Sequence, residues 1–239
     1  VARLAGFELN TVLGIALEGN FPQPSGGFSE GNKALAFDFG TVSGGYGWIF
    51  PKRNHFNVGV GGWISNGPNL RRMMSELVRT YELEPSDGWG VRGYRLPVRA
   101  VTSPLRRGRV LLVGDAAGLV DPLTGEGIYG SIYSGYAAAR AASNFLTGEA
   151  PDLSDYESEL ESGLLDELAA GQYIHGLFHL APHFFFQLAK HGERPWRLAR
   201  DLLLGDRTHE HVRQKLGRLW PVARLAGGLV VLRSGFRRA

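Results

Sequence analysis

The sequence predicts a mixed α/β fold, and three observations along its 239 residues support this class. Short apolar runs broken by Gly, Pro and Asn fill most of the first hundred or so positions, a pattern typical of strands. A further strand-like run ends in a Gly-Asp turn and leads into a helix of small residues. From Ser154 onward the apolar spacing is helical almost throughout.

The first part of the chain predicts a mostly β-sheet domain with one helix. The helix is expected over residues 69–81, opened by Pro68. One helical face collects its apolar side chains, which are Leu70, Met73, Met74, Leu77 and Val78. The predicted strands are residues 8–18, 34–40, 46–51, 55–62 and 89–98. We therefore place a first domain at residues 1–108.

The most informative stretch follows that domain. The run 109–113 predicts a strand, and Gly114-Asp115-Ala116-Ala117-Gly118 closes it. Ligands of α/β proteins bind at the carboxyl ends of strands, so Asp115 can accept hydrogen bonds from hydroxyl groups there. A helix predicted to start near Gly125 directs free N–H groups and its positive end to the same place, which favours an anion. This combination suits a flavin nucleotide.

Within this stretch, residues 125–130 also match the G-x-G-x-x-G pattern of dinucleotide-binding loops. That pattern needs its glycines directly after a strand, and an acidic residue at the end of the next strand about 20 residues on. Here Asp121-Pro122 lies between the strand and the glycines, and Glu149 follows a helix. We therefore interpret these glycines as contacts of a flat ring.

Residues 109–128 resemble the second FAD motif of glutathione-reductase-type flavoproteins, in the branch shared by aromatic hydroxylases and geranylgeranyl reductases. The resemblance implies that Asp115, paired with Gly114, holds the ribityl chain of FAD. It also implies that a Pro-x-x-Gly-x-Gly-Ile loop lies against the pyrimidine end of the flavin ring. The residues of that loop are Pro122, Gly125, Glu126, Gly127 and Ile128. A helix start at this end would stabilise the negative charge of a reduced flavin.

A second motif narrows the branch. Tyr46, Trp48, Phe50 and Pro51 are similar to the Tyr-x-Trp-x-Phe-Pro signature of geranylgeranyl reductases, which lines a lipid cavity beside the flavin. Alternate residues of a strand share one face, so the three aromatic side chains predict a flat apolar wall for an isoprenoid chain. The sequence departs from the family pattern at Ser43, where a proline is frequent. An aromatic stripe is also typical of an ordinary core, and the sequence leaves both interpretations open.

The resemblance implies an FAD-dependent oxidoreductase that reduces carbon–carbon double bonds of an isoprenoid lipid or of a quinone side chain. A hydroxylase of the same fold and a non-catalytic lipid- or partner-binding fragment remain alternatives. The sequence does not indicate whether the electron donor is NAD(P)H or a reduced carrier. It indicates no catalytic residue.

The resemblance also suggests how the chain is organised. No dinucleotide fingerprint occurs in residues 1–60, so we expect the C-terminal portion of a longer reductase. Residues 1–108 would form the substrate domain and residues 109–150 would return to the FAD-binding, Rossmann-like domain. Residues 151–239 would be a helical region, with a capping box of Ser154 and Glu157 at its start.

Composition limits the remaining function classes. The absence of cysteine excludes disulfides, thiol catalysis and thiolate metal sites within the chain. The net charge is only +3, and we expect no nucleic-acid partner. No uncharged run is long enough to span a bilayer, and no signal-peptide pattern is visible. These features predict a cytoplasmic protein.

Two features of the helical tail carry further hypotheses. His175, His179 and His183 recur every four residues, as metal-binding histidines do, but Pro182 interrupts the helix and we expect no metal. The tail also contains phenylalanines and an apolar run beside basic residues, which fit either an inter-helix core or peripheral contact with a membrane. These residues are Phe178, Phe184, Phe185, Phe186, Leu229, Val230, Val231, Leu232, Arg224, Arg233, Arg237 and Arg238.

Overall fold

The computed structural model describes residues 2–8, 11–22, 34–83, 90–99 and 103–234, with the backbone alone for Val12 and residues 230–234. The chain divides into two compact units. One, the sheet unit, is Leu13–Leu96; the other, the helical unit, comprises Val1–Val12 and Pro97–Ala239. The fold is mixed α/β, as the sequence predicts.

The sheet unit is built on a five-stranded sheet with the order β2-β3-β4-β1-β5. The strands are β1 (Thr11–Pro22), β2 (Ala36–Asp38), β3 (Tyr46–Pro51), β4 (His55–Trp63) and β5 (Arg92–Arg99). The ladders β2–β3, β3–β4 and β4–β1 are antiparallel. The predicted strand ends differ from these by up to a few residues, and residues 9, 10 and 89 lie outside the described part.

Strand β2 shows why a predicted strand is shortened. The sequence predicts residues 34–40, but the ladder stops at Asp38. The Asp38 carboxylate accepts the backbone N–H groups of Gly40 at 3.0 Å and Thr41 at 2.7 Å. Such a side-chain turn competes with a strand for the backbone donors, so the chain bends there.

Helix α1 (Leu70–Thr80) covers one face of this sheet. A 3₁₀ turn, Ile64–Asn69, leads into it with Pro68 inside the turn. All five predicted apolar positions of the helix are buried. They share one core with alternate strand residues such as Ile49, Val58 and Val60.

In the described part of the helical unit, a short antiparallel ladder precedes the helices. It pairs β6 (Arg106–Arg107) with β7 (Val110–Leu111). The helices are α2 (Ile128–Thr147), α3 (Ser154–Glu161), α4 (Leu164–Leu180), α5 (Pro182–His191), α6 (Glu193–Leu203), α7 (His209–Leu216) and α8 (Trp220–Ser234). The strand predicted over 109–113 pairs over two residues only, Val110 and Leu111.

The core of the helical unit lies between α2, α3, α4 and the segment after β7. Ala137 and Ala141 of α2 are buried, whereas Ala139 faces solvent. The predicted capping box at α3 is wrong. Leu153 is the N-cap residue, and the Ser154 N–H donates to the Asp152 carboxylate at 2.8 Å. Glu157 instead forms an ion pair with Arg106 at 2.9 Å.

Candidate functional site

The Gly-Asp turn follows β7 and precedes the loop that leads to α2. Gly114–Ala117 is a 3₁₀ turn, and Gly114 and Gly118 have φ values of 52° and 72°. A residue with a side chain rarely adopts that conformation, which explains both glycines. The Gly114 N–H donates to the hydroxyl of Ser134 at 3.0 Å, inside the core. The turn is thereby fixed to α2 through a residue that the sequence analysis did not single out.

The Asp115 side chain faces solvent at this turn. One of its carboxylate oxygens lies only 3.0 Å from the position that a Cβ atom on residue 127 would occupy. Gly127 therefore leaves the space in which the Asp115 carboxylate sits beside the start of α2. Two residues separated by twelve positions in sequence form one cradle, with an accessible acceptor on a glycine surface.

The segment from Asp121 to Gly127, the flavin loop, is shaped by its own hydrogen bonds. One oxygen of the Asp121 carboxylate accepts the N–H of Leu123 at 2.9 Å and both the N–H and the hydroxyl of Thr124 at 2.7 and 2.9 Å. The backbone closes the same loop, because the Asp121 N–H donates to the Glu126 carbonyl at 2.7 Å. Gly125 supplies the left-handed residue, with φ at 72°. The shape of the loop is therefore fixed by hydrogen bonds within the loop itself.

Helix α2 begins at Ile128, with Gly127 as its N-cap, rather than near Gly125 as predicted. The exposed Glu126 carboxylate accepts the N–H groups of Ile128 and, at 3.0 Å, Tyr129. The prediction of free N–H groups at this helix start is wrong for these two donors. A carboxylate of the chain itself occupies the place where the sequence analysis put an anion, as expected from the positive end of a helix.

A flavin nucleotide fits the residues present. The Asp115 carboxylate is accessible to a hydroxyl group, and Gly127 offers backbone with no side chain in the way. Pro122 is buried under the loop, and Ile128 is 71% exposed beside it. Glu126 is exposed on the loop surface, so its side chain can turn away when a ligand approaches. The site thus supplies an acceptor for hydroxyl groups and a flat surface.

The sheet unit carries the second predicted set of residues. Tyr46, Trp48 and Phe50 share one face of β3, and the intervening Gly47 and Ile49 are buried on the other. The ring centroids of Tyr46 and Trp48 lie 5.9 Å apart, and those of Trp48 and Phe50 lie 6.3 Å apart. Pro51 ends the strand, half-buried. The predicted alternation is therefore present in the fold.

Phe37 and Phe39, which the sequence analysis did not assign, extend this aromatic face. The centroid of the Phe37 ring lies 5.8 Å from that of Tyr46 and 5.3 Å from that of Phe50. The ring centroids of Phe39 and Tyr46 are 6.0 Å apart. We call the five side chains Phe37, Phe39, Tyr46, Trp48 and Phe50 the aromatic face. Each is only partly buried, and none belongs to the buried core of the unit.

The Trp48 ring lies directly against Gly59, in space that a side chain at that position would fill. A Cβ atom on Gly59, its neighbour across the β3–β4 ladder, would lie 2.1 Å from the Trp48 ring. The indole N–H donates to the Asn57 carboxamide oxygen at 2.8 Å, and the Asn57 amide in turn approaches Glu18 at 3.4 Å and Asn20 at 3.3 Å. The aromatic face is therefore apolar, with a polar border at Asn57.

The tail histidines do not assemble a metal site. Within the described ranges, no group of three or more potential ligands lies together. The rings of His175 and His179 are 4.1 Å apart on α4, but α4 ends at Leu180 and His183 belongs to α5. Burial lowers the pKa of His175 to about 3 and that of His179 to about 4, so both rings are neutral near pH 7.

Comparisons with known proteins show which families the chain resembles. An FAD binding domain family matches residues 80–161. The digeranylgeranylglycerophospholipid reductase of Thermoplasma acidophilum is 33% identical over 52% of the chain and 32% of its own length. The menaquinone reductase of Mycobacterium tuberculosis is 35% identical over 42% of the chain and 26% of its own length. The chain thus spans about a third or less of these two relatives.

A solved structure shows the same fold. The geranylgeranyl bacteriochlorophyll reductase-like protein of Thermoplasma acidophilum superposes with a TM-score of 0.63, over 74% of the chain and 47% of that protein, at 21% identity. The family match and the fold place the likeness of the chain in one class of proteins, the FAD-binding oxidoreductases. Within that class, the resemblance of the chain to the geranylgeranyl reductase family is confirmed.

Proposed function

We propose that the chain belongs to an FAD-dependent reductase that saturates carbon–carbon double bonds of an isoprenoid chain. The single observation that carries the proposal is that one chain contains both the Asp115–Gly127 cradle and an aromatic face outside the core. The names of the relatives support it, since both of those described above are reductases of molecules with long isoprenoid chains.

The proposed roles follow from the chemistry of each residue. Asp115 would accept hydrogen bonds from the ribityl hydroxyls, and the flavin loop together with Ile128 would hold the pyrimidine end of the ring. When bound, the reduced flavin would supply a hydride to one carbon of the double bond, and a proton would complete the reduction at the other carbon. The aromatic face holds the apolar chain and excludes water from it. Within this scheme Glu126 leaves the start of α2 so that its N–H groups can meet the flavin.

A reduction assay on the complete protein tests the proposal. Purified protein with FAD is reduced with dithionite without oxygen and mixed with a geranylgeranylated glycerophospholipid. We expect a product that has gained a pair of hydrogens for each reduced bond, measured by mass spectrometry. Menaquinone tested in parallel decides whether the substrate is a membrane lipid or the side chain of a quinone.

The same assay separates the alternatives. A hydroxylase would require oxygen and would add an oxygen atom to its product. A non-catalytic binding protein would retain the lipid without changing its mass. Either outcome contradicts the proposed reductase.

We further propose that the helical unit contacts the membrane from which such a substrate must be extracted. Phe184 and Phe186 of α5 are 60% and 51% exposed, and Val222, Leu225 and Leu229 are exposed along one side of α8. The Arg224 side chain forms a contact within the protein, because its guanidinium lies 5.5 Å from the centre of the Tyr173 ring. No helix in the described part of the chain is long and apolar enough to cross a bilayer. Exposed apolar side chains of this kind suit a surface contact.

A further inference from the structure

His209 connects the flavin loop to two helices of the same unit. It is the first residue of α7 and is only 5% exposed. Its Nδ1 atom lies 3.0 Å from a carboxylate oxygen of Glu167, on α4, and 3.4 Å from a carboxylate oxygen of Asp121, which opens the flavin loop. Both distances are within the range of an ion pair. One imidazole therefore lies between two carboxylates from different segments.

Asp121 divides its two oxygens between two tasks. One oxygen accepts the three hydrogen bonds that shape the loop, and the other faces His209. The position of His209 is consequently linked to the same side chain that determines the loop conformation.

Helix α4 approaches both partners closely. A Cβ atom on Gly171 would lie 2.9 Å from His209 Nδ1 and 3.1 Å from the Pro122 ring. The glycine thus lets α4 pack against the histidine and the flavin loop at once. Glu167, one turn earlier on the same helix, also accepts the N–H groups of His209 and, at 2.9 Å, Glu210, which fixes the start of α7.

The charges around His209 favour its protonated form. Burial opposes protonation, but the Glu167 and Asp121 carboxylates outweigh it and raise the pKa of His209. Burial likewise opposes the charge on Glu167, but the contacts with His209 and Glu210 lower its pKa. The other charged groups nearby are engaged elsewhere: Glu210 and Asp166 act on Arg213. Arg207 lies 2.8 Å from His211.

We propose that His209 is a positioning residue that ties Asp121 to α4 and so holds the flavin loop in the shape that receives the cofactor. The inference rests on the proposed flavin site, since it assigns a function to the loop that His209 holds. It adds that retention of the cofactor depends on pH through a residue that does not touch it.

The direction of the pH dependence follows from the raised pKa. A group with a raised pKa in the folded protein stabilises it fully below the pKa of the unfolded chain. That stabilisation is lost as pH rises through the folded value. Cofactor retention should therefore be greatest at mildly acidic pH and should fall above the ordinary range of histidine.

The test measures the rate of FAD release from the complete holoprotein, followed by the rise in flavin fluorescence, from about pH 6 to about pH 9. We expect release to become about tenfold faster across this range in the unsubstituted protein, as loss of one charged contact predicts. His209→Gln and Asp121→Asn should both release FAD quickly at every pH, with no step. Asp121→Asn keeps the oxygen that shapes the loop. His191→Gln removes an exposed histidine of α5 and should behave like the unsubstituted protein.

A second measurement is independent of the cofactor. The imidazole of His209 is titrated by NMR in the protein without FAD, and its pKa should fall in Asp121→Asn. A holoprotein whose FAD release is the same at all pH values, or His209→Gln with an unchanged pH step, would overturn the inference. If neither the unsubstituted protein nor any variant binds FAD at any pH, the proposed flavin site is wrong. The imidazole titration then still decides whether Asp121 and His209 are coupled, and an unchanged pKa removes the link.

Discussion

At the scale of single residues, the cradle depends on a pair that only the fold brings together. The Asp115 carboxylate occupies space that any side chain at position 127 would fill. Glu126 is not part of the cradle. Its carboxylate accepts the N–H groups of Ile128 and Tyr129. The carboxylates thus have different tasks, since Asp115 is open to a ligand and Glu126 is bonded to the helix.

Replacement of Asp115 tests the first of these tasks. Asp115→Ala in the complete protein should lower FAD retention by roughly tenfold to a hundredfold, because a charge-assisted hydrogen bond contributes about 1.5–3 kcal/mol. Flavin absorbance after gel filtration measures it. Asp206→Ala, which removes an exposed carboxylate between α6 and α7, is the control. Unchanged occupancy in Asp115→Ala would refute the assignment.

Trp48 tests the aromatic face in the same way. Trp48→Ala should weaken binding of the isoprenoid substrate well beyond tenfold, since burial of a large apolar side chain is worth about 2–3 kcal/mol. Its flavin content should stay normal. Substrate titration monitored by the flavin spectrum provides the measurement, with Trp196→Ala, an exposed tryptophan of α6, as the control. Loss of all soluble protein in Trp48→Ala would instead support a purely structural role.

At the scale of elements, α2 carries the turn through its small residues. A Cβ atom on Gly130 would lie 2.3 Å from the backbone carbonyl of Leu119, whereas one on Gly135 of the same helix would meet no atom within 4 Å. The two glycines therefore differ in purpose. Gly130 permits close packing of the helix on the segment after the Gly-Asp turn, and Gly135 does not serve that packing.

This difference gives a matched pair of substitutions. Gly135→Ala should stabilise the protein by up to about 1 kcal/mol through helix propensity. Gly130→Ala gains the same propensity but must push against backbone, so we expect a net loss of about 1–3 kcal/mol. Urea unfolding of both variants measures the difference. Equal stability of the two variants would show that the contact at Leu119 is easily relaxed.

The elements also show where sequence patterns are sufficient. The inner face of α1 and the alternation on β3 were predictable because both depend on local periodicity. The start of α2 was not, because Glu126 and Gly127, rather than a pattern upstream, determine which residue is the first in the helix. The boundary of β2 depends on a side-chain turn at Asp38 for the same kind of reason.

At the scale of the whole molecule, the helical unit presents apolar side chains to solvent. The apolar run and basic end of the tail were predicted as a membrane contact or as core, and Leu229 is 61% exposed. Side chains of residues 230–234 are not described, and Arg237 and Arg238 lie outside the described residues. The exposed Phe184 and Phe186 of α5 are a second candidate membrane contact on the same unit.

Vesicle co-sedimentation tests that hypothesis. Binding should require anionic lipid and weaken at high salt, because each basic residue near such a surface adds about 1 kcal/mol, screened by ions. Replacing Arg233, Arg237 and Arg238 with Gln should remove most of it, and Phe184→Ser with Phe186→Ser should weaken it further. Activity on detergent-dispersed substrate should persist. Equal binding to neutral vesicles, or none to either, would speak against membrane contact.

The sequence by itself determined the class of fold, the FAD motif and the aromatic signature, because each is written in consecutive or regularly spaced residues. Only the tertiary structure decided which groups meet. Asp115 lies against Gly127, Trp48 lies across Gly59, and His209 lies between Asp121 and Glu167. Such contacts join positions far apart in the chain. They arise from close packing and from the need of buried charges for partners, neither of which leaves a local pattern.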